Sequence, residues 1–320
     1  MRAVRLLPLL FGGWLVLPVH ADEAQDAIKR LAQADLQQSY QGTFVYERNG
    51  SFSTHRIWHR VADGKVRERL LQLDGSAQEV LRVSGMTQCV SGSLVPGVEN
   101  SSQSSPRVLD AKKLSAWYDL KMVGASRVAG RPASILAITP KDQHRYGIEL
   151  HVDNATGLTL KSLLLSDKGQ LLERFQFTEF DPTMPTDQHL QASAECKPVV
   201  VEKSQPQPRP AITTVDWRSD WLPDGFELNS SAVRKDPTSG AQVTSLMYGD
   251  GLARVSIFIE HVNGAAAADI RTQLGPTVAV SRRLTTPQGD ALVTVVGEVP
   301  LGTAERIALS MRKNTAQSSR

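Results

Sequence analysis

Apolar side chains recur with two different periods along this chain, and the change from one to the other marks its organisation. Over residues 23–38, Ala24, Ile28, Leu31, Ala34 and Leu36 fall near helical spacing with no Gly or Pro between them, which predicts an amphipathic helix. From Ser39 the period drops to two. Gly42-Thr43-Phe44-Val45-Tyr46 reads as a strand rich in aromatic and β-branched residues, and Asn49-Gly50 is a strong hairpin signal. A return strand over 52–61, a turn at Asp63-Gly64, a strand over 65–73, a turn at Asp74-Gly75 and a strand over 78–83 complete an antiparallel meander.

Residues 91–106 are rich in Gly, Ser, Pro and Asn and read as a mobile loop. A short helix is predicted over 110–118 with Asp110 as its cap, then strands over 119–128, 133–139, 146–153, 158–166 and 171–180. Nine or ten strands after one early helix predict an α+β fold: one large antiparallel sheet, curled into a half-barrel with covering helices. Pro198, Pro206, Pro208 and Pro210 then make 197–212 a semi-extended linker. Beyond it lies a smaller α/β C-terminal domain, 213–320. Its predicted strands lie near 226–234, 242–248, 252–260, 277–285 and 291–299. Its predicted helices lie near 265–274 and over 303–312, the last capped by Thr303 with Arg306 and Arg312 toward its C-terminal half.

The N-terminus changes the picture. Arg2 and Arg5 precede an apolar run over 6–17, Pro18 breaks it, and Val19-His20-Ala21 ends it with small residues. This is the pattern of a secretory signal peptide, 1–21, leaving a large domain over 22–196 in an exported chain. Without those two arginines, 34 basic side chains face 33 acidic ones, a net charge of +1, and nothing suggests a nucleic-acid partner. Export permits a disulfide between Cys89 and Cys196, the only two cysteines; two separate buried thiols are the alternative.

Catalytic signatures are missing. The sequence has no G-x-S-x-G, H-E-x-x-H, C-x-x-C or phosphate-binding loop, and Gly249-Asp250-Gly251 lacks the rest of a dinucleotide fingerprint. His55 and His59 lie on a predicted strand, where residues four apart are separated by roughly 13 Å and cannot share a metal ion. No catalytic residue, metal or cofactor is predicted. What remains is apolar. Phe44, Tyr46, Ile57, Trp58, Leu71, Leu73, Leu136, Ile138, Leu163 and Phe175 are candidates for lining a lipid pocket inside the curled sheet; a packed core is the alternative. Arg67, Arg69 and Arg82 are candidates for an anionic head group or an acidic partner, against a solvated sheet face. Trp217, Trp221 and Phe226 are candidate partner anchors, against core or interdomain packing.

Several stretches carry a resemblance. Residues 41–46 (QGTFVY), 53–60 (STHRIWHR), 67–75 (RERLLQLDG), 117–120 (WYDL), 221–226 (WLPDGF), 248–252 (YGDGL) and 296–300 (VGEVP) together resemble the MucB/RseB family of exported regulators of envelope-stress sigma-factor signalling. Their order along nearly the whole mature chain makes the likeness specific. The resemblance implies a LolA/LolB-like large domain joined by a linker to a small α/β domain. It implies a periplasmic protein that binds the periplasmic domain of a MucA/RseA-type anti-sigma factor and shields it from site-1 cleavage by a DegS-type protease. Release by lipid or lipopolysaccharide is implied as well. The anti-sigma segment is expected at the small domain and the interdomain cleft, and acyl chains inside the curled sheet. A lipid or lipoprotein carrier is the alternative function, and a homo-oligomer stays open.

Overall fold

In a computed structural model, residues 19–76, 78–92, 109–199, 215–235, 240–262, 269–287 and 289–314 are described. The signal peptide up to Pro18, nearly all of the loop at 91–106 and most of the linker at 197–212 lie outside them. The chain opens with helix α1 (Val19–Gln37) and strands β1 (Tyr40–Arg48), β2 (Ser51–Ala62), β3 (Lys65–Gln72), β4 (Glu79–Val83) and β5 (Met86–Ser91). Helix α2 (Ala111–Trp117) leads into β6 (Tyr118–Val128), β7 (Arg131–Pro140), β8 (Gly147–Asp153), β9 (Thr159–Leu165), β10 (Leu171–Asp181) and β11 (Lys197–Pro198). After the linker come β12 (Trp217–Ser219), β13 (Glu227–Lys235), β14 (Gln242–Gly249), β15 (Arg254–His261), β16 (Ile270–Leu274), β17 (Thr277–Thr286) and β18 (Gly289–Gly297). Helix α3 (Leu301–Ser310) and β19 (Met311–Lys313) close the chain.

Turn chemistry sets the first sheet. Asn49-Gly50, Asp63-Gly64, Ser84-Gly85 and Ala129-Gly130 each place two successive residues at positive φ, the geometry that matches the twist of a two-residue hairpin. The result is an α+β fold with an 11-stranded antiparallel sheet in the order β11-β5-β4-β3-β2-β1-β10-β9-β8-β7-β6. The order is linear, so the sheet stays open. Helices α1 and α2 bury Ala24, Ala27, Ile28, Ala111 and Leu114 against Tyr118, Leu136 and Ile138 on one face of its β6–β8 half. Asp110 caps α2 as predicted, accepting from the Lys112 and Lys113 N–H groups.

A six-stranded antiparallel sheet, β13-β14-β15-β18-β17-β16, forms the C-terminal part. One face carries Leu246, Val255, Ile257, Val278, Val280, Val293 and Val295 against Ala304, Ile307 and Ala308 of α3. Three sequence expectations need correction. The predicted helix near 265–274 is strand β16 over its last five residues: Ile270, Thr272 and Leu274 alternate with polar residues, and pairing with β17 overrides local helix propensity. Thr303 does not cap α3; the cap is Pro300, and Thr303 is buried one turn in. Arg312 belongs to β19, not to the helix. Strand β5 went unpredicted although Ser84-Gly85 signals its turn.

Candidate functional site

The β1, β2 and β10 part of the large sheet carries an aromatic floor, on which Ala34 of α1 also packs. On β1, Phe44 stacks on His55 with centroids 5.1 Å apart and meets Phe175 at 4.7 Å. Phe177 stands edge-on to Phe175 and Phe180, both at 5.1 Å, and Tyr40 stacks on His59 at 4.7 Å. Ile57 and Leu70 pack against this cluster. A bulge between β1 and β10 puts Phe177 and Phe180 on one face although they are three positions apart. Gly42 leaves room for the Phe177 ring, since a Cβ there would collide with it. At one margin the Tyr46 hydroxyl donates to Glu173 at 2.6 Å, and burial, reinforced by Glu173, pushes that phenol well above its ordinary value. At the other, His59 lies between Glu68 (3.2 Å) and the Asp35 carbonyl (3.1 Å). Burial pushes the Glu68 carboxyl up, but His59 and Arg82 together hold it below the usual range.

The ten predicted pocket residues divide. Phe44, Tyr46, Ile57 and Phe175 come together in the floor. Leu136 and Ile138 are fully buried beneath the helices, as core. Trp58, Leu71 and Leu163 alternate to the other face: Leu71 opposes Arg56 and Glu79, and Leu163 opposes Arg174 and Glu149. Leu73 is 50% exposed beyond the end of β3. Tyr40 and Phe180 were missed, the second because the bulge breaks strict alternation.

On that other face a strap formed by residues 182–199 crosses the sheet and ends as β11. Trp58 lies between the guanidinium groups of Arg56 (5.5 Å) and Arg69 (5.0 Å). Arg69 donates to Glu79 at 2.7 Å and to the His189 carbonyl at 3.1 Å, while Arg60 and Arg67 share Asp187. The disulfide Cys89–Cys196 pins the far end of the strap. Arg67 and Arg69 thus tie the strap down, whereas Arg82 opposes Glu68 on the aromatic face.

The buried Glu79 carboxylate is pushed up by desolvation, but its hydrogen bonds with Ser193 and Arg69 outweigh this and hold it below the usual range. Asp153 behaves alike, through Arg131 and Thr156. Groups with depressed folded-state values stabilise the fold above the ordinary carboxylate range and lose that contribution as pH falls through the depressed values. The urea midpoint is therefore expected to be flat from about pH 7 to about pH 5 and to fall below about pH 4. Glu79→Gln should lower the midpoint at neutral pH and shrink the acid-dependent drop. An unchanged drop would show that Glu79 does not carry it.

The two sheets meet at one buried cation. Arg145, 0% exposed, donates to Asp250 at 2.6 Å and also reaches Asp142 and the Asp224 carbonyl. The rings of Trp117, Tyr118 and Phe226 surround its guanidinium at 5.8, 5.7 and 5.2 Å. The Tyr118 hydroxyl donates to Asp250 at 2.9 Å; burial, then the Asp250 charge, pushes that phenol far up. Tyr146 donates to the Val299 carbonyl at 2.9 Å and is pushed up to about 12 by burial. His144 pairs with Thr303 (3.2 Å) and stands edge-on to Trp221. Gly225, at φ +82°, packs so closely on Trp117 that no side chain fits there. Trp217 and Phe226 are buried in the small core and Trp221 packs on it beneath Arg306. These three aromatics are packing residues in this structure, two of them at the junction.

Among the described residues no group of three His, Cys, Asp or Glu side chains gathers as a metal site, and no helix is long and apolar enough to cross a membrane. An aromatic-floored open sheet, fixed through a desolvated junction to a second sheet, defines a two-domain binding protein. Comparison with known proteins gives it a family. Residues 23–195 match the MucB/RseB N-terminal domain and residues 211–312 the MucB/RseB C-terminal domain, so the chain belongs to the MucB/RseB family. It is 58% identical over 319 residues, 99% of both chains, to the sigma factor AlgU regulatory protein MucB of Pseudomonas aeruginosa. It is 28% identical over 291 residues, 87% of both, to the sigma-E factor regulatory protein RseB of Escherichia coli. The complex structure of P. aeruginosa MucA/MucB matches with a TM-score of 0.81 at 59% identity, covering 92% of this chain and 100% of that one. A crystal structure of MucB alone matches with a TM-score of 0.64 at 56% identity, over 92% and 98%. These relatives are named as regulators, and the family is a regulatory one rather than a family of enzymes.

Proposed function

We propose that this chain is a periplasmic regulator of envelope-stress sigma-factor signalling that binds the periplasmic domain of a MucA-type anti-sigma factor and shields it from site-1 proteolysis. The observation that carries this reading is the end-to-end similarity to MucB, including the match to MucB in its complex with MucA. The Cys89–Cys196 disulfide suits an oxidising compartment, and the predicted signal peptide would deliver the chain there. The division of labour is a large domain up to 196 and a small domain from 213, joined by the linker.

The aromatic floor supports a second element. Tyr46, Ile57 and Phe175, partly buried beside the buried Phe44, offer apolar surface that suits acyl chains, with Arg82 at its margin for an anionic head group. A lipid releases the partner only if it binds the partner-free form more tightly, by linkage. The same floor would serve a lipid or lipoprotein carrier, which needs no anti-sigma partner. Cleavage of the anti-sigma periplasmic domain by a DegS-type protease separates the two. The regulator slows cleavage, and lipopolysaccharide restores it. A cleavage rate that the protein leaves unchanged, with lipid passing to an acceptor, favours the carrier.

A further inference from the structure

Four strands end the two large sheets among the described residues, and three are guarded. Strand β11 is two residues long and contains Pro198. Strand β6 is broken by a bulge between Met122 and Gly124, with α1 packed beside it. Strand β13 has a bulge between Leu228 and Ser230 and ends in Arg234-Lys235. Such bulges, charges, short lengths and prolines are how folded proteins keep sheet edges from pairing. Strand β16 has no bulge: all five of its residues pair with β17 in continuous register, and its one charge, Arg271, is drawn to Glu305 of α3 at 3.2 Å. All five are exposed, and Ile270 (51%) and Leu274 (61%) present aliphatic side chains at alternate positions on one face. Phe258, 37% exposed, lies in the same cross-strand row as Ile270.

We propose that β16 is a docking edge that takes an extended segment of a partner protein as an added strand, with apolar side chains at alternate positions. Among the described residues β16 pairs with β17 alone, so its outer backbone edge would select an extended chain, and Ile270 and Leu274 select the alternation. A second copy of this chain fits less well. Two copies paired only along an edge roughly 17 Å long would bury far less area than a stable dimer of globular surfaces needs. A flexible segment can run on. Past Leu274 the edge opens into a 360 Å³ cavity between the domains, lined by Asn49, Gly50, Leu171, Leu172, Gln273 and Gly275 among others. There an extended chain gains contacts with both domains that a second globular copy cannot reach. The identity of the partner rests on the reading above, that the segment belongs to an anti-sigma periplasmic domain.

The test is calorimetric titration of the mature protein with a MucA-type periplasmic fragment, using wild type, Ile270→Lys/Leu274→Lys, and Met86→Lys as a remote exposed control. Thermal melts check folding, and amide hydrogen exchange is followed over residues 270–274. The double variant is expected to melt as wild type and bind at least tenfold more weakly. The control should bind normally, and the fragment should protect 270–274 in the wild type. A double variant that binds within twofold of wild type overturns the edge and leaves the binding reading standing. A wild type that does not bind overturns both. A wild-type dimer lost in the variant, with fragment binding unchanged, assigns the edge to a second copy and overturns the proposal.

Discussion

Arg145→Met is expected to destabilise the protein by about 3–5 kcal/mol, the usual cost of removing one partner from a buried ion pair. The reason lies in what stays behind. Asp250 is fully buried, and Arg145 is the cation beside it. After the substitution Asp250 keeps the Tyr118 hydroxyl and the N–H groups of Leu252 and Ala253, but its charge has no counterion. The three rings packed around the guanidinium face a thinner, neutral side chain. Arg145 comes from the large-sheet domain and reaches Asp224 and Asp250 of the small one, so the loss should also uncouple the domains. Urea unfolding followed by fluorescence and by circular dichroism should change from coincident to separate transitions. Arg145→Met/Asp250→Asn should cost less than the sum of the single substitutions. A loss below about 1 kcal/mol for Arg145→Met would mean the junction is solvated and the pair contributes little.

Opening the Cys89–Cys196 disulfide is expected to cost about 2–5 kcal/mol, because the bridge closes a long loop in the unfolded chain. The bonded residues are 107 positions apart, and between them run five strands, α2 and most of the strap. Cys89→Ser/Cys196→Ser should lower the guanidinium midpoint in proportion, and reductant should do the same to the wild type alone. The local consequence is specific. Leu190 and Trp58 are buried where the strap crosses β2 and β3, with the strap held by Arg69 to the His189 carbonyl and by Ser193 to Glu79. Releasing its C-terminal end should expose Trp58 and shift tryptophan emission to the red before global unfolding. Coincident midpoints for oxidised, reduced and serine forms would contradict this.

Much of this architecture can be read from local signals. Asn49-Gly50, Asp63-Gly64 and Ala129-Gly130 announce their hairpins because the turn geometry demands residues that tolerate positive φ. Asp110 announces α2 for a similarly local reason. What stays hidden depends on partners distant in sequence. Leu136 and Phe44 look alike in a strand pattern and both end up buried, one beneath α1 and α2 and the other among the rings of the floor. Trp58 and Leu71 are apolar, but period two sends them to the face where the strap, some 120 residues later, covers Trp58. Arg145 stands in a polar stretch, Lys141-Asp142-Gln143-His144-Arg145, with nothing local to mark it as the most deeply buried cation. Its role follows from Asp224 and Asp250 arriving from the other domain. The helix expected near 265–274 failed for the same reason: β17 supplies the pairing that makes 270–274 a strand.

The central claim, a partner-binding protein whose complex lipid can release, is tested most directly by calorimetric titration. The mature chain is titrated with the periplasmic fragment of a MucA-type anti-sigma factor, with and without lipopolysaccharide. The account predicts a tight complex without lipid and at least tenfold weaker binding with it. Equal affinity in both conditions would contradict lipid release, and no binding in either would contradict the regulatory reading itself.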